Sequence, residues 1–542
     1  MDHPAAGVAA ARGAVMSHDV VVVGAGAAGC VLAERLSADP SVRVLLVEDG
    51  GRARDPLLAV PRAFPVTLRS ARHTRTYPTG PSAGVPAEAW TRGRGLGGST
   101  SINGLMWVRG APADFETLER AGGPGWGPDA FLRAYRAIED HALGASATRG
   151  AGGPVHVSVP LVPDTVTDAV LAGARAVGLR EVDDFNDSDD ERIGRAPATI
   201  LRGRRVSAAT AFLSVARGRP NLTIVTGARV ERVLLEGDRA VGVSIVRGTH
   251  REEVRARREV VLAAGTIESP LLLERSGIGD PAVLADAGVR LRVERPRVGE
   301  GVIEQRAVSM QVRFADRRGL TERLNTRPRL AREALSYLAT RRGPIASSGY
   351  DVVSAFRSDP GSERPDAQGV WVPMALDETS DRMQLAPYSG LLFTGWAIRP
   401  TTPSSIHLAP AGSAGPAIAP RYLLDPAEQA TTGGILAHAR AVVAASALAD
   451  VVEREVFPGP DVSSPAQVVE HARAHGGGIY HAVGSCAMGP DDDAVVDADL
   501  RVRGVRGLRV VDASVLPHQV SGNSAAPVMA LAWLASERVR GS

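Results

Sequence analysis

Two cysteines occur in 542 residues, Cys30 and Cys486, and aromatic residues make up only 4% of the chain. So few cysteines exclude a disulfide framework and point to a reducing, cytoplasmic setting. No apolar run approaches the roughly 20 residues that a membrane span needs. The opening MDHPAAGVAAARGAVMSHDV lacks an apolar core and a signal-peptide pattern, so residues 1–17 read as a disordered tail, with Met16 as an alternative start. Excess charge of one sign is missing too. The 62 basic and 60 acidic residues leave a net charge of +2, and nothing points to nucleic acid. Nor is there an internal repeat, and no metal is expected. What remains is an ordinary globular composition, 44% hydrophobic and 23% charged, in a chain too long for one compact core. Arginine dominates the basic residues, a bias that a GC-rich genome explains better than function does.

The most informative stretch runs from His18 to Gly51. A buried run, Val20 to Val23, leads into the turn Gly24-Ala25-Gly26-Ala27-Ala28-Gly29. A helical stretch from about Cys30 to Leu36 follows, and a second apolar run, Val42 to Val47, ends in Glu48. This is strand, tight turn, helix, strand, the setting in which such glycines mean dinucleotide binding. Gly24 permits the sharp turn, Gly26 lets a pyrophosphate approach the backbone, and Gly29 allows close packing of helix on strand. The helix start at Ala27 and Ala28 then offers free N–H groups to phosphate. Glu48, about 20 residues past the turn, is placed to accept hydrogen bonds from an adenosine ribose, and an acid there favours FAD or NAD over NADP. An ordinary α/β turn would not need three glycines at this spacing together with that acid. The turn alone does not say which dinucleotide is bound.

The chain then reads as extended loop to about Trp90. The stretch from Thr91 to Gly110 is rich in small residues, which let the backbone lie against a large flat ligand. Ser99, Asn103, Gly104, Leu105 and Met106 are the candidate contacts there. Helical patterns cover 130–138 and 164–179. A strand at 221–225 and a meander through 228–246 precede the buried run Val260 to Gly265, whose small end suits an adenosine half. Pro270 is expected in the first turn of the next helix and Gly277 at its end. From about 300 to 475 the pattern is mixed, with a strand at 404–408 and a long Ala-rich helix near 432–448.

Two C-terminal stretches carry chemistry: Gly478 to Gly489, containing Tyr480-His481, and Leu508 to Met529, containing Asp512-Ala513 and Ser521-Gly522-Asn523. With the glycine turn, the RGRGLGGSTSIN stretch at 92–103 and GTIESPLLLERSGIG at 265–279, they make the sequence resemble the glucose-methanol-choline (GMC) oxidoreductase family over nearly its whole length. The resemblance implies an α/β fold, a Rossmann-like FAD-binding domain with a second, mixed-sheet substrate-binding domain. It also implies FAD as cofactor, His481 facing the flavin and Asn523 beside it. Asp512, with Ala513, would lie near the ribityl or phosphate region, although a capping role for Asp512 is nearly as good a reading. Val230 would contact the adenine through its backbone. The expected division is 18–300 for the FAD domain, 301–475 mainly for substrate, and 476–542 returning to the FAD domain.

Oxidising an alcohol requires a base for the hydroxyl proton while a hydride leaves the carbon, and a histidine suits that task. Asn523 can hold the substrate oxygen or the developing alkoxide. The sequence departs from the family at Ile102, where some members carry a histidine linked to FAD, so non-covalent FAD is expected. It departs again at 298–305, where an Asp-His pair is usual. His407, His475 and His518 have no motif support and read as surface or packing residues, and Cys486 as a small buried residue. The expected activity is oxidation of an alcohol to an aldehyde or ketone, with a quinone, a redox protein or O2 as acceptor. A cyanohydrin-type lyase and an accessory electron-relay flavoprotein remain the alternatives.

Overall fold

A computed structural model describes residues 18–541 except 161, 360 and 381–382; the expected tail at 1–17 lies outside the described residues. Five parallel strands form the first layer, in the order Leu222–Thr226, Val44–Glu48, His18–Val23, His250–Leu262 and Leu508–Val510. Val44–Glu48 is buried throughout and His18–Val23 nearly so, as expected for a parallel sheet covered on both faces. The helices Ala27–Ser37 and Ala525–Arg540 pack on each other against this sheet.

The strand His250–Leu262 serves two pairings. Its charged first half, HREEVRARRE, pairs antiparallel with Arg239–Arg247, which pairs in turn with Arg229–Glu236. Its apolar end, Val260 to Leu262, runs parallel to the first strand and to Leu508–Val510. The outer half is largely exposed and the inner end fully buried, so composition and environment change together along one strand.

The second sheet has seven strands, in the order Val452–Phe457, Ala307–Phe314, Gly390–Ala397, Ala367–Val372, Val352–Phe356, Arg192–Arg195 and Arg180–Val182. The last two come from within the span 18–300 and pair into this sheet. Helices Pro426–Ala444 and Thr165–Ala176 cover one face, where Phe356, Trp371 and Phe393 are buried. Strand alternation turns Val370, Thr394 and Trp396 towards an internal cavity.

Two local expectations need correction. The stretch after Gly51 is not plain loop: Thr74–Pro78 pairs antiparallel with Ala89–Gly93, and short turns occupy Pro56–Ala59 and Pro61–Ala63. Pro270 is not in a first turn, because the helix Gly265–Arg275 starts five residues earlier. Proline has no N–H for the carbonyl four residues back. That carbonyl, Thr266 O, instead accepts from Ser485 Oγ at 2.6 Å. The serine repairs the helix from outside.

We expect Ser485→Ala to leave this buried carbonyl unpaired and to cost about 1–3 kcal/mol. The check is a lower denaturant midpoint at unchanged m-value; an unchanged midpoint would show that Thr266 O finds another donor.

Candidate functional site

The carboxyl ends of the parallel strands open into a cavity of 1850 Å³ that runs from the glycine turn to Asn523 and out to the surface. In open α/β sheets ligands bind at this edge. Gly24, Gly26, Ala27, Ala28 and Glu48 line one end, with Val230 and Gly265 beside them. Ser99, Asn103, Gly104, Leu105 and Met106 line the middle with Asp512 and Ala513, and His481 and Asn523 stand beyond. Gly29 is not on the wall. A Cβ there would meet Gly24 O at 1.8 Å, so this glycine serves the contact between turn and helix.

Two carboxylates expected near the cofactor are occupied by the protein's own donors. Glu48 accepts from Ala25 N at 2.9 Å, Gly50 N at 2.7 Å and Gly95 N at 2.9 Å. It fastens the glycine turn to the loop at 93–101. Asp512 accepts from Gly265 N at 2.9 Å, Ser269 Oγ at 2.6 Å and Ser514 N at 2.8 Å. The capping role weighed for Asp512 is therefore present, on two segments at once, and its side chain also borders the cavity.

His481 sits in a directed chain of hydrogen bonds. Gln305 Nε2 donates to Ile398 O at 3.2 Å, which turns Gln305 Oε1 towards His481 Nδ1, 2.8 Å away. Gln368 Nε2 donates to Asn523 Oδ1 at 3.2 Å, which turns Asn523 Nδ2 towards His481 Nε2, also 3.2 Å away. The amides thus assign the tautomer: Nδ1 carries the proton and Nε2 presents a lone pair. Packing pushes the imidazole down to about 3, and the Arg92 guanidinium adds to the shift. Trp396 lies edge-on to the ring, centroids 6.2 Å apart.

The stretch that departs from the family pattern supplies this support. Glu304 accepts from His481 N at 2.9 Å, Gln305 N at 3.0 Å and Ala482 N at 3.0 Å. Burial raises the Glu304 carboxyl, against the opposing pull of Arg92. In sequence, 298–305 stands out only as unusual, and Gln368, a mid-strand residue, carries no motif. His407 is more than a packing residue. It lies between Glu274 at 2.7 Å and Glu300 at 2.9 Å, and these carboxylates raise it to about 9 against the cost of burial. His475 lines the cavity and His518 contacts Asp114 O at 2.9 Å. Cys486 is fully buried and its thiol is pushed well above the usual range by burial, in keeping with a packing role.

The glycine turn fits a dinucleotide. A Cβ on Gly26 would meet nothing within 4 Å and would stand in the open cavity. The helix behind it begins with no side-chain cap and no acid in its first turn, leaving its N–H groups for an outside acceptor. Ile102, on the wall, has no atom that can bond covalently to a ligand there.

Residues 18–305 and 400–532 match the GMC oxidoreductase family. An alcohol dehydrogenase [acceptor] of Pseudomonas putida is 33% identical over 96% of this chain and 95% of its own length. The mitochondrial choline dehydrogenase of Mus musculus is 34% identical over 96% of this chain and 89% of its own. The crystal structure of pyridoxine 4-oxidase from Mesorbium loti superposes with a TM-score of 0.87 at 31% identity, covering 97% of this chain and 100% of that one.

Gly26→Val starts its side chain in open space, with the Cβ clear of the protein. Unchanged far-ultraviolet dichroism with loss of co-purifying flavin absorbance is the expected result; a fully yellow variant would remove Gly26 from the cofactor site.

Proposed function

The chain belongs to the GMC oxidoreductase family, and on that basis we propose that His481 and Asn523 are its reaction centre for alcohol oxidation. The protein is an FAD-dependent oxidoreductase acting on alcohols. When bound, FAD supplies the hydride acceptor at N5. The fixed tautomer of His481 carries the proposal. Nε2 is unprotonated and accepts from Asn523 Nδ2, in a residue that lines the cavity, and an alcohol hydroxyl that takes the amide's place there can give its proton to Nε2. Asn523 Nδ2, the donor nearest to Nε2, steadies the oxygen as negative charge develops on it. Gln305 accepts from Nδ1 and disperses the charge of the imidazolium that forms. The glycine turn and the start of the helix Ala27–Ser37 hold the diphosphate, with Glu48 at the ribose end and Val230 at the adenine. The uncapped start of the helix Ala525–Arg540 also borders the cavity, and its partial positive charge favours negative charge nearby.

The substrate is a primary or secondary alcohol. Apolar walls from Val308, Met374 and Leu385 favour one bulkier and less polar than choline. A quinone or redox protein is the proposed acceptor, which makes the enzyme a dehydrogenase.

Anaerobic mixing of the yellow protein with an alcohol panel tests the activity. Bleaching of the flavin band is expected; persistent colour with every alcohol, together with cyanohydrin cleavage, would overturn the reading. Slow recovery of the colour in air is expected of a dehydrogenase, and fast recovery would make the enzyme an oxidase. His481→Ala should slow bleaching by roughly 10²–10⁴-fold with FAD still bound.

Because His481 is held near 3, its protonation should leave kcat/KM unaffected between about pH 5 and 8. Gln305→Glu sets a carboxylate against Nδ1 and favours the imidazolium, raising the histidine's pKa. An acid limb should then enter that range, with activity lost as pH falls through it. A profile identical to the parent's would separate Gln305 from the base.

A further inference from the structure

The helix Arg327–Thr340 is turned the wrong way round for a water-soluble surface. It buries Glu333 and Tyr337 and exposes its three leucines: Leu330 by 47%, Leu335 by 68% and Leu338 by 62%. On a helical wheel these leucines share one outward arc with Ala331 and Ala334. A surface helix normally does the opposite, and isolated leucines on a surface would need no explanation, but a contiguous group does.

The arc does not end with the helix. Leu330 and Leu338 line the outer part of the cavity, and so do Leu57 and Val66, exposed by 46% and 62%. Between these segments lies the hairpin at 200–205, with Leu201 exposed at its tip. It is held by Arg205 Nε donating to Leu58 O at 3.1 Å and by Tyr337 OH donating to Gly203 O at 2.9 Å. An apolar rim therefore borders one side of the cavity mouth.

Charge on this rim is all of one sign. Every basic residue of the chain is an arginine. Arg69, Arg72, Arg202, Arg327, Arg332 and Arg342 are exposed along the rim. The stretches 51–72, 200–205 and 327–342 are fully described and contain no exposed acid. Asp55 is partly covered and paired with His73, and Glu333 is buried and paired with Arg323. Among the described residues the one exposed acid that lines the cavity is Glu378, which lies outside these three stretches and accepts from Tyr388 OH at 2.7 Å. A net charge of +2 over the whole chain hides this local excess.

We propose that this rim is a docking surface for an anionic lipid bilayer, which the cavity mouth then faces. Leucines projecting between arginines are the pattern of an element that lies in a membrane interface: the side chains enter the headgroup boundary while the guanidinium groups meet phosphate. A second copy of this chain fits less well, because a two-fold contact through the rim would set arginine against arginine. No helix among the described residues is long and apolar enough to cross a membrane, so the association is with the surface.

The test is co-sedimentation of the FAD-loaded full chain with vesicles. Binding is expected to vesicles of equal parts phosphatidylglycerol and phosphatidylcholine, to fall steeply with added salt, and to be weak with phosphatidylcholine alone. Leu335→Asp should lower the bound fraction roughly tenfold, and Arg332→Glu with Arg342→Glu should abolish the preference for the anionic lipid. None of these residues lines the cavity, so flavin absorbance and thermal midpoint report that the variants are folded. Equal pelleting with and without anionic vesicles would overturn the proposal, as would binding that Leu335→Asp leaves unchanged. So would a parent dimer that Leu335→Asp converts to monomer, which would assign the rim to a second copy.

Discussion

Segments far apart in sequence meet around one cavity, and their backbone N–H groups must be paired where water is excluded. Three buried carboxylates meet this constraint, each accepting three hydrogen bonds. Glu48 gathers Ala25, Gly50 and Gly95. Asp512 gathers Gly265, Ser269 and Ser514. Glu304 gathers His481, Ala482 and its own neighbour Gln305. Bonds to a charged acceptor contribute about 1.5–3 kcal/mol each, and losing a buried acceptor costs more than the bond is worth. These acids hold the loops in place, and the loops shape the cavity.

The proposed chemistry rests on the third of them. Glu304 fixes the backbone of His481, and Gln305 next to it fixes the ring. Two amides facing the imidazole from opposite sides, each oriented by a further partner, leave it one arrangement of its proton. A base needs a lone pair in the right place before it needs a particular pKa. Here the lone pair is set by amide direction, and burial together with Arg92 keeps the ring neutral.

The architecture also separates tasks. The parallel sheet delivers its strand ends to the glycine turn at one end of the cavity. The seven-stranded sheet walls the other end, with its helices behind it. The leucine-bearing helix Arg327–Thr340 lies outside both sheets and buries little. That is how an element looks when its partner is outside the protein.

Much of this was legible in the sequence. Period and spacing marked the strand, turn and helix at 18–48, because a phosphate site needs glycine where any side chain would intrude. Five ordered motifs were enough for the family and for FAD. His481 and Asn523 were nameable because each sits in a motif. What the sequence withheld depends on contacts across long separations. Gln305 and Gln368 reach the histidine and asparagine from 176 and 155 residues away, and no local pattern records that. Pro270 looked like a helix start because its missing N–H is most cheaply placed there; Ser485, 219 residues from the carbonyl it satisfies, makes the interior position tolerable. Local patterns therefore determined most of the elements and named the candidate reacting groups, since these follow from backbone sterics and side-chain chemistry. Only the tertiary structure decided which way the amides point, which carboxylates are already engaged and which leucines face outwards, since those depend on neighbours brought together by the fold.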